Sequence, residues 1–424
     1  MAHGFGLRKL GNLAVVSTLV AGLTVGIAAG GSGAGAARDV RGFDGSTITV
    51  AALGIVSQFP GVPLGVNARV KRFNDSNELK GVKIKFSEFA DDKQDPATAL
   101  SEARRLVTQS QVFAIVGDTS QYNPGDYFKQ QHVPYFGWDF DNTYCSPKPS
   151  TALWGFSYNG CFLAENPSFV SDTGKASYTY VSQKSGKQHP TVVIFGNDTT
   201  SGKSATKLSA IAYQGAGFKI AAMQNKLPTP PIADYTPYVQ QILTGDNGKA
   251  PDAVVCALAI DCIPTWNLLK ANGYQGTFIS GLYSNLIVKQ MAGSTATGSF
   301  VNPIENTPGM NQLKKDLDAY ESGDSSKIDS GVIAAYASAD MFIQALKTAA
   351  KKGKGNITPE AVQKAAATQT WQIKGLAGPT KYPQATVYTY PACFSLFASD
   401  GTTWSTAVPY SCSTKKFKPV LKGS

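Results

Sequence analysis

Histidine is close to missing from this chain: three occur in 424 residues, and one, His3, falls in the leading segment. His132 and His189 remain. His132 ends a predicted helix ahead of VPYF, where a cation suits the helix dipole. His189-Pro190 precedes a strand. No G-x-S-x-G elbow accompanies either, so a Ser-His-Asp hydrolase has no visible nucleophile. The six cysteines contain no C-x-x-C. Zinc sites need four nitrogen or sulfur ligands at short spacings, and that set is not present. No metal or cofactor is therefore expected, and no enzyme.

Charge is sparse as well, at 16% of residues against 42% hydrophobic. That balance belongs to a globular chain, not a disordered one. The formal charge is +10. Its short runs, Lys351-Lys352-Gly353-Lys354 and Lys415-Lys416-Phe417-Lys418, read as solvated faces and a tail. No element interleaves basic with aromatic residues as a nucleic-acid surface would, so no nucleic acid is expected. A basic surface does suit an anionic cell envelope. One phosphate-loop look-alike, GNDTTSGKS, follows a strand. Five residues separate Gly196 from Gly202, one more than a Walker A loop allows.

Long apolar runs are absent except at the start. Arg8 and Lys9 precede an uncharged, mostly apolar stretch over residues 13–29, and Ala34-Gly35-Ala36 offers an A-x-A cleavage site. A signal peptide over residues 1–36 follows, with 37–46 as a linker and an extracytoplasmic location, in the periplasm or at the cell-envelope surface. Removing Arg8 and Lys9 leaves +8 on the mature chain. The other reading is a retained anchor, because residues 11–31 are long enough to span a membrane.

What remains is rich in turns, with 42 glycines and 23 prolines. All six cysteines lie in the exported part, which favours oxidation. Six cysteines allow about 15 pairings. They fall into three sequence-local pairs, so the expected bridges are Cys145–Cys161, Cys256–Cys262 and Cys393–Cys412.

From Thr47 onward strand and helix patterns alternate. STITVAALGIV is an apolar strand, and KGVKIKFSEFA alternates with period two. Asp95-Pro96 opens a helix, since Asp caps and Pro fits the first helical position. VFAIVG and VPYFG are unbroken apolar strands, each ending at a glycine. PTVVIFG restarts the series through FKIAAMQ, PDAVVCALA and GTFISGLY, each separated by a helical segment. Two long helices then cover residues 330–351 and 358–368, and FSLFASDGTTWSTAV turns back on itself at Asp400-Gly401. Regular β-α repetition predicts parallel sheets covered by helices, and two such series predict two doubly wound α/β domains. Ligands of open parallel sheets bind beyond the carboxyl ends of the strands.

Several pieces, in this order and spacing, resemble the type I periplasmic binding proteins. They are ITVAALGIVSQFPG, the D-D-x-x-D-P-x-x-A-x-x-x-A-x-x-L-V run of residues 91–107, VFAIVG, VPYFG, VVIFGNDTTSGKSA and AAYASADMFIQAL. The branch they are most similar to is the leucine/isoleucine/valine-binding solute receptors of ABC importers. The resemblance covers roughly residues 47–412. It implies two doubly wound parallel-sheet lobes joined by a three-segment hinge. Lobe 1 would hold residues 47–165 plus 303–370, and lobe 2 residues 166–302 plus 371–424. Crossings would fall near 165–177, 299–303 and 371–380. The implied protein is a monomer that closes over a small molecule and is recognised by a membrane permease. Amino acids, amides and aromatic acids all remain open as ligands. A sensing module without transport is the alternative.

The resemblance also points to ligand contacts in loops after successive strands. The first offers Ser57, Gln58 and Phe59. The loop after VFAIVG offers Asp118, Thr119, Ser120 and Tyr122, in place of the small hydroxyl run that holds a carboxylate in amino-acid binders. Trp138 and Asp139 follow VPYFG, Trp138 either stacking on a ligand or capping the core. Tyr158 sits where the chain would enter the hinge. Ser201 stands where the family carries a tyrosine in D-x-x-Y-G. Ile260, Asp261, Leu282 and Tyr283 would complete the far wall, with Asp261 a partner for an ammonium group. Each loop residue also has a plain reading as turn chemistry.

Overall fold

The computed structural model describes residues 40–140, 142–145, 153–161, 164, 167–228, 232–257, 261–320, 325–382 and 390–421. The side chain of Ser201 is outside that set, as are Ile260 and the expected signal segment.

Strands β1 (Thr47–Gly54), β2 (Lys83–Asp91), β3 (Ala114–Asp118), β4 (Tyr135–Gly137) and β5 (Gly155–Ser157) form one parallel sheet in the order β2-β1-β3-β4-β5. Helices α1 (Val62–Asp75), α2 (Pro96–Thr108) and α3 (Gly125–Gln130) connect its strands. The expected cap is made: Asp95 Oδ1 accepts the Thr98 N–H at 2.7 Å, with Pro96 opening α2. β3 is buried at every residue, as its unbroken apolar run requires. It does not stop at Gly117 but continues to Asp118 through a register shift, and Gly117 sits at φ +94°. Glycine tolerates that angle and so admits the bulge.

A two-residue β6 (Val170–Ser171) and α4 (Lys175–Ser185) lead into a second series. It comprises β7 (Thr191–Asn197), α5 (Thr200–Ala216), β8 (Lys219–Leu227), α6 (Thr236–Leu243), β9 (Ala253–Cys256), α7 (Cys262–Ala271), β10 (Thr277–Ser280) and β11 (Thr295–Gly298). Next come α8 (Pro308–Tyr320), α9 (Ser330–Ala349), α10 (Pro359–Ala366), β12 (Thr370–Ile373), β13 (Ala377–Lys381), β14 (Ala392–Ser399), β15 (Trp404–Ser413) and β16 (Lys416–Phe417). The second sheet runs β15-β14-β11-β10-β9-β7-β8. β7 to β11 are parallel, while β14 and β15 join as an antiparallel hairpin at one edge. β12 pairs with β13, and β16 pairs with β6.

Both sheets are covered on two faces. In the second, Val192, Ile194 and Val255 pack toward α4 and α5, while Val193, Val254 and Phe278 pack toward α6 and α7. In the first, Ala51, Leu53 and Ile115 meet α2 and α3, and Val50, Ala52 and Val116 meet α1 and α9. α9 is apolar on nearly every side and accordingly almost wholly buried. Asp329 caps it, its Oδ1 accepting the Val332 N–H at 2.7 Å. Although α8, α9 and α10 follow β11 in sequence, α8 and α9 contact α1, and α9 also contacts β3, β4 and α10. Cys145–Cys161, Cys256–Cys262 and Cys393–Cys412 are each bonded. Among the described residues no helix is long and apolar enough to cross a membrane.

Candidate functional site

The carboxyl ends of the two sheets face a common cavity of about 140 Å³. From the first sheet it receives Gln58 and Phe59 after β1, Gln121 after β3, Trp138, Asp139 and Phe140 after β4, and Asn159 after β5. The rings form one cluster. Phe59 and Phe140 stack with centroids 5.5 Å apart, and Trp138 lies 4.8 Å from Phe140 and 5.6 Å from Phe59. Such ring pairs add to plain area burial, so this wall is held before any ligand arrives.

From the second sheet come Ala257 after β9, the Cys256–Cys262 disulfide, and Ser280, Gly281 and Leu282 at the end of β10. Thr297 and Ser299 of the β11 segment complete this wall. Gln58 Oε1 is buried without a hydrogen-bond partner among the described residues. Asp139 is fully buried at the cavity wall. Among the described residues, no lining residue is Lys, Arg or His. Among the described residues, no group of three or more His, Cys, Asp or Glu is arranged to hold a metal ion.

Of the sequence-predicted residues, Gln58, Phe59, Trp138 and Asp139 line this cavity, as does Leu282. The others stand elsewhere. Thr119 and Ser120 are fully buried beneath the rim. Ser120 Oγ donates to Asp92 Oδ2 at 2.5 Å, and its N–H donates to Asp118 Oδ1 at 3.1 Å. Asp118 Oδ2 in turn accepts the Tyr144 hydroxyl at 2.5 Å and the Asn123 amide. Burial pushes the Asp92 carboxyl up, and the Ser120 bond pulls it back. The Ser120 hydroxyl is thus spent on a buried acid. Tyr122, half-buried, hydrogen-bonds Ser120 Oγ through its N–H at 3.1 Å, and its neighbour Gln121 reaches the cavity instead.

Tyr158 lies behind the aromatic wall, its ring 6.3 Å from Trp138 and 6.3 Å from Trp371. Its hydroxyl accepts a bond from Ser299 at 3.2 Å, and burial pushes its pKa up. Asp261 is buried beside Cys262, where Oδ1 accepts the Tyr235 hydroxyl. Burial raises its pKa against that bond, and it does not line the cavity. Ser201 lies in the first turn of α5, and nothing of its side chain is described.

Tyr283 packs among Phe300, Phe397 and Trp404. Its backbone makes a clasp with α9: Tyr283 N–H donates to Ser330 Oγ at 3.1 Å, and Ser330 N–H donates to Tyr283 O at 2.9 Å. Beside this clasp is a second depression of about 260 Å³, which shares Gln58, Phe59 and Leu282 with the first. Asp329 lies at its edge, its carboxyl pushed up to about 6 by burial.

Sequence reasoning missed Gln121, Phe140, Asn159 and the α5 residues Ala205, Ser209 and Tyr213. The only signal for the last three is their spacing of four, which puts them on one face of a helix.

Two α/β layers whose strand ends enclose one cavity define a bilobal ligand-binding protein. The sequence profile described as "Periplasmic binding protein" matches residues 53–387, and the chain belongs to that family, in its type I form. No curated protein matches. Among solved structures, a fatty acid ABC transporter substrate-binding protein from Thermomonospora curvata is similar at TM-score 0.68 and 14% identity, over 89% of this chain and 95% of that one. The branched-chain amino acid transporter substrate-binding protein LivJ from Streptococcus pneumoniae, in complex with isoleucine, reaches TM-score 0.60 at 18% identity, over 86% and 100%. A solute-binding protein of an ABC transporter from R. palustris, in complex with benzoate, reaches 0.63 at 13%, over 87% and 98%.

Proposed function

We propose that this protein captures a small organic solute outside the cytoplasm and delivers it to the permease of an ABC importer. One observation carries the reading: the cavity is walled jointly by loops of both sheets. A ligand touching both walls makes contacts that exist only when they are close, and so favours the closed form. We assign residues 47–165 plus 303–370 to one lobe and 166–302 plus 371–424 to the other, with crossings near 165–177, 299–303 and 371–380. The return of α8, α9 and α10 to the first sheet's layer supports this division.

The head group we infer is neutral or cationic and carries hydrogen-bond donors. Gln58 Oε1 presents an acceptor, Asp139 places an acid at the wall, and among the described residues no cationic side chain in the wall compensates an anion. The rings of Phe59, Trp138 and Phe140 favour an aromatic or alkyl body. Leucine, benzamide, benzylamine and benzoate, compared by thermal shift, test this, because a ligand that binds only the folded state raises the melting temperature. Benzamide or benzylamine should shift the protein more than benzoate does, and the reverse order would reject the head-group assignment. Trp138→Ala should weaken whichever binds about tenfold or more, the worth of one buried aromatic face.

A further inference from the structure

The cavity does not end in the cleft. Gly281 stands at its second wall, and a Cβ added there would meet no atom within 4 Å. Past that point the space continues inward between α5 and the second sheet. Ala205, Ser209 and Tyr213 line one side of it, and Val255, Ile279 and Phe394 the other. The helix–sheet layer of a doubly wound domain is ordinarily filled by interlocking side chains at close to crystal density. Here α5 presents an alanine and a serine one turn apart, and the cavity enters beside them. Ser209 keeps 9% of its surface accessible and Val255 6%, while Ala205 is sealed against the strands.

The chemistry changes along the cavity. At the cleft stand the unpartnered Gln58 Oε1 and the buried Asp139. Two of the hydroxyls along the cavity already have partners. Tyr213 is bonded to Ser177 Oγ at 2.9 Å, and Thr297 Oγ1 donates to Ser280 O at 3.3 Å. Both therefore present carbon to the space. From Ala205 to Tyr213, α5 advances about 12 Å at its rise of about 1.5 Å per residue.

We propose that the space between α5 and the second sheet is a tail subsite: it receives the unbranched apolar chain of a ligand whose polar head stays in the cleft. The ligand class is a small amphiphile, with an alkyl tail on a donor-bearing head. This rests on the solute-binding reading and adds the shape of the solute.

The test is a homologous series of straight-chain primary amides, from butanamide to decanamide, with the matching carboxylates as a second series, measured by calorimetry on the whole mature chain. Affinity should rise about fourfold per methylene until the recess is full, the factor that burial of one methylene gives. Ala205→Leu, which fills the recess, should cut decanamide affinity at least tenfold more than it cuts butanamide affinity. If Ala205→Leu lowers folding, Ser209→Val makes the same comparison with less added volume. Affinity independent of chain length in the unmodified protein overturns the tail subsite and leaves the solute-binding role standing. Equal losses for both amides in either variant also overturn it. A length dependence confined to the carboxylates supports the subsite and overturns the head-group assignment. No binding in either series overturns the subsite, and the solute-binding role then rests on the comparison of leucine, benzamide, benzylamine and benzoate.

Discussion

The two walls of the cavity come from the same kind of sheet rim, yet they are furnished in opposite ways. The first carries rings that pack on one another, Phe59, Trp138 and Phe140. The second carries small side chains, hydroxyls and a disulfide, with open space behind them. Shape on the first side is set by aromatic packing. On the second it is set by a covalent tie and by what is not there. Under the proposed tail subsite, the first wall is a platform and the second sets the ligand's size.

The most severe way to break this contrast is to cut the staples of the second sheet one at a time. On the chain-entropy account, losing Cys393–Cys412 should cost about 3 kcal/mol of stability and losing Cys256–Cys262 about 2 kcal/mol, because the first closes the longer loop. Affinity should respond in the opposite order. Paired Cys→Ser changes at 256 and 262 remove a wall of the cavity and should weaken binding about tenfold. The same change at 393 and 412, in the edge hairpin, should leave it within about twofold. Unfolding by denaturant and calorimetry on the same samples read both quantities, and parallel losses would show that Cys256–Cys262 acts through stability alone.

Ser120→Ala sharpens the other side. It strips Asp92 Oδ2 of its partner in a fully buried place and should cost about 2 kcal/mol of stability. Ligand affinity should barely move, since this hydroxyl does not reach the cavity. A tenfold affinity loss at unchanged stability would return the loop to the ligand.

The last comparison belongs where the walls meet. Asp329 has a folded-state pKa of about 6, above the ordinary 3.8, because burial disfavours its charge. Its contribution to stability is complete below about pH 4 and is lost as pH rises through 6, on the order of 2 kcal/mol. Asp92 and Asp261 are pushed in the same direction, so the native protein's slope mixes all three. Tyr283 is the titratable neighbour facing Asp329, and it stays neutral across this range. Asp329→Asn keeps an oxygen for the Val332 cap. Its melting temperature should fall less than the native protein's between pH 4 and 7, and identical slopes would remove Asp329 from the account.

The strand-to-rim rule sufficed to place Gln58, Phe59, Trp138 and Asp139 at the cavity, because it needs only where each apolar run ends. It failed for Thr119 and Ser120 because the bulge at Gly117 and the distant Asp92 turn them inward, and neither shows in the local sequence. Tyr283 was missed by one residue: the chain drops after Leu282 to meet Ser330, a partner 47 positions away. The antiparallel edge of the second sheet was visible as a hairpin, but its attachment to β11 was not. The recess beneath α5 left the faintest trace, since it consists of volume that short side chains fail to fill. The cysteine pairs were the easiest to see, each being local.

That locality has a mechanical meaning. Cys145–Cys161 ties down the margin of the first sheet, and the other two bridges belong to the second. All six cysteines are used, and no bridge runs from one sheet's layer to the other's. Oxidation therefore hardens each half of the jaw without riveting the jaw shut. Under the proposed capture-and-delivery role, release is then left to a change of contacts alone.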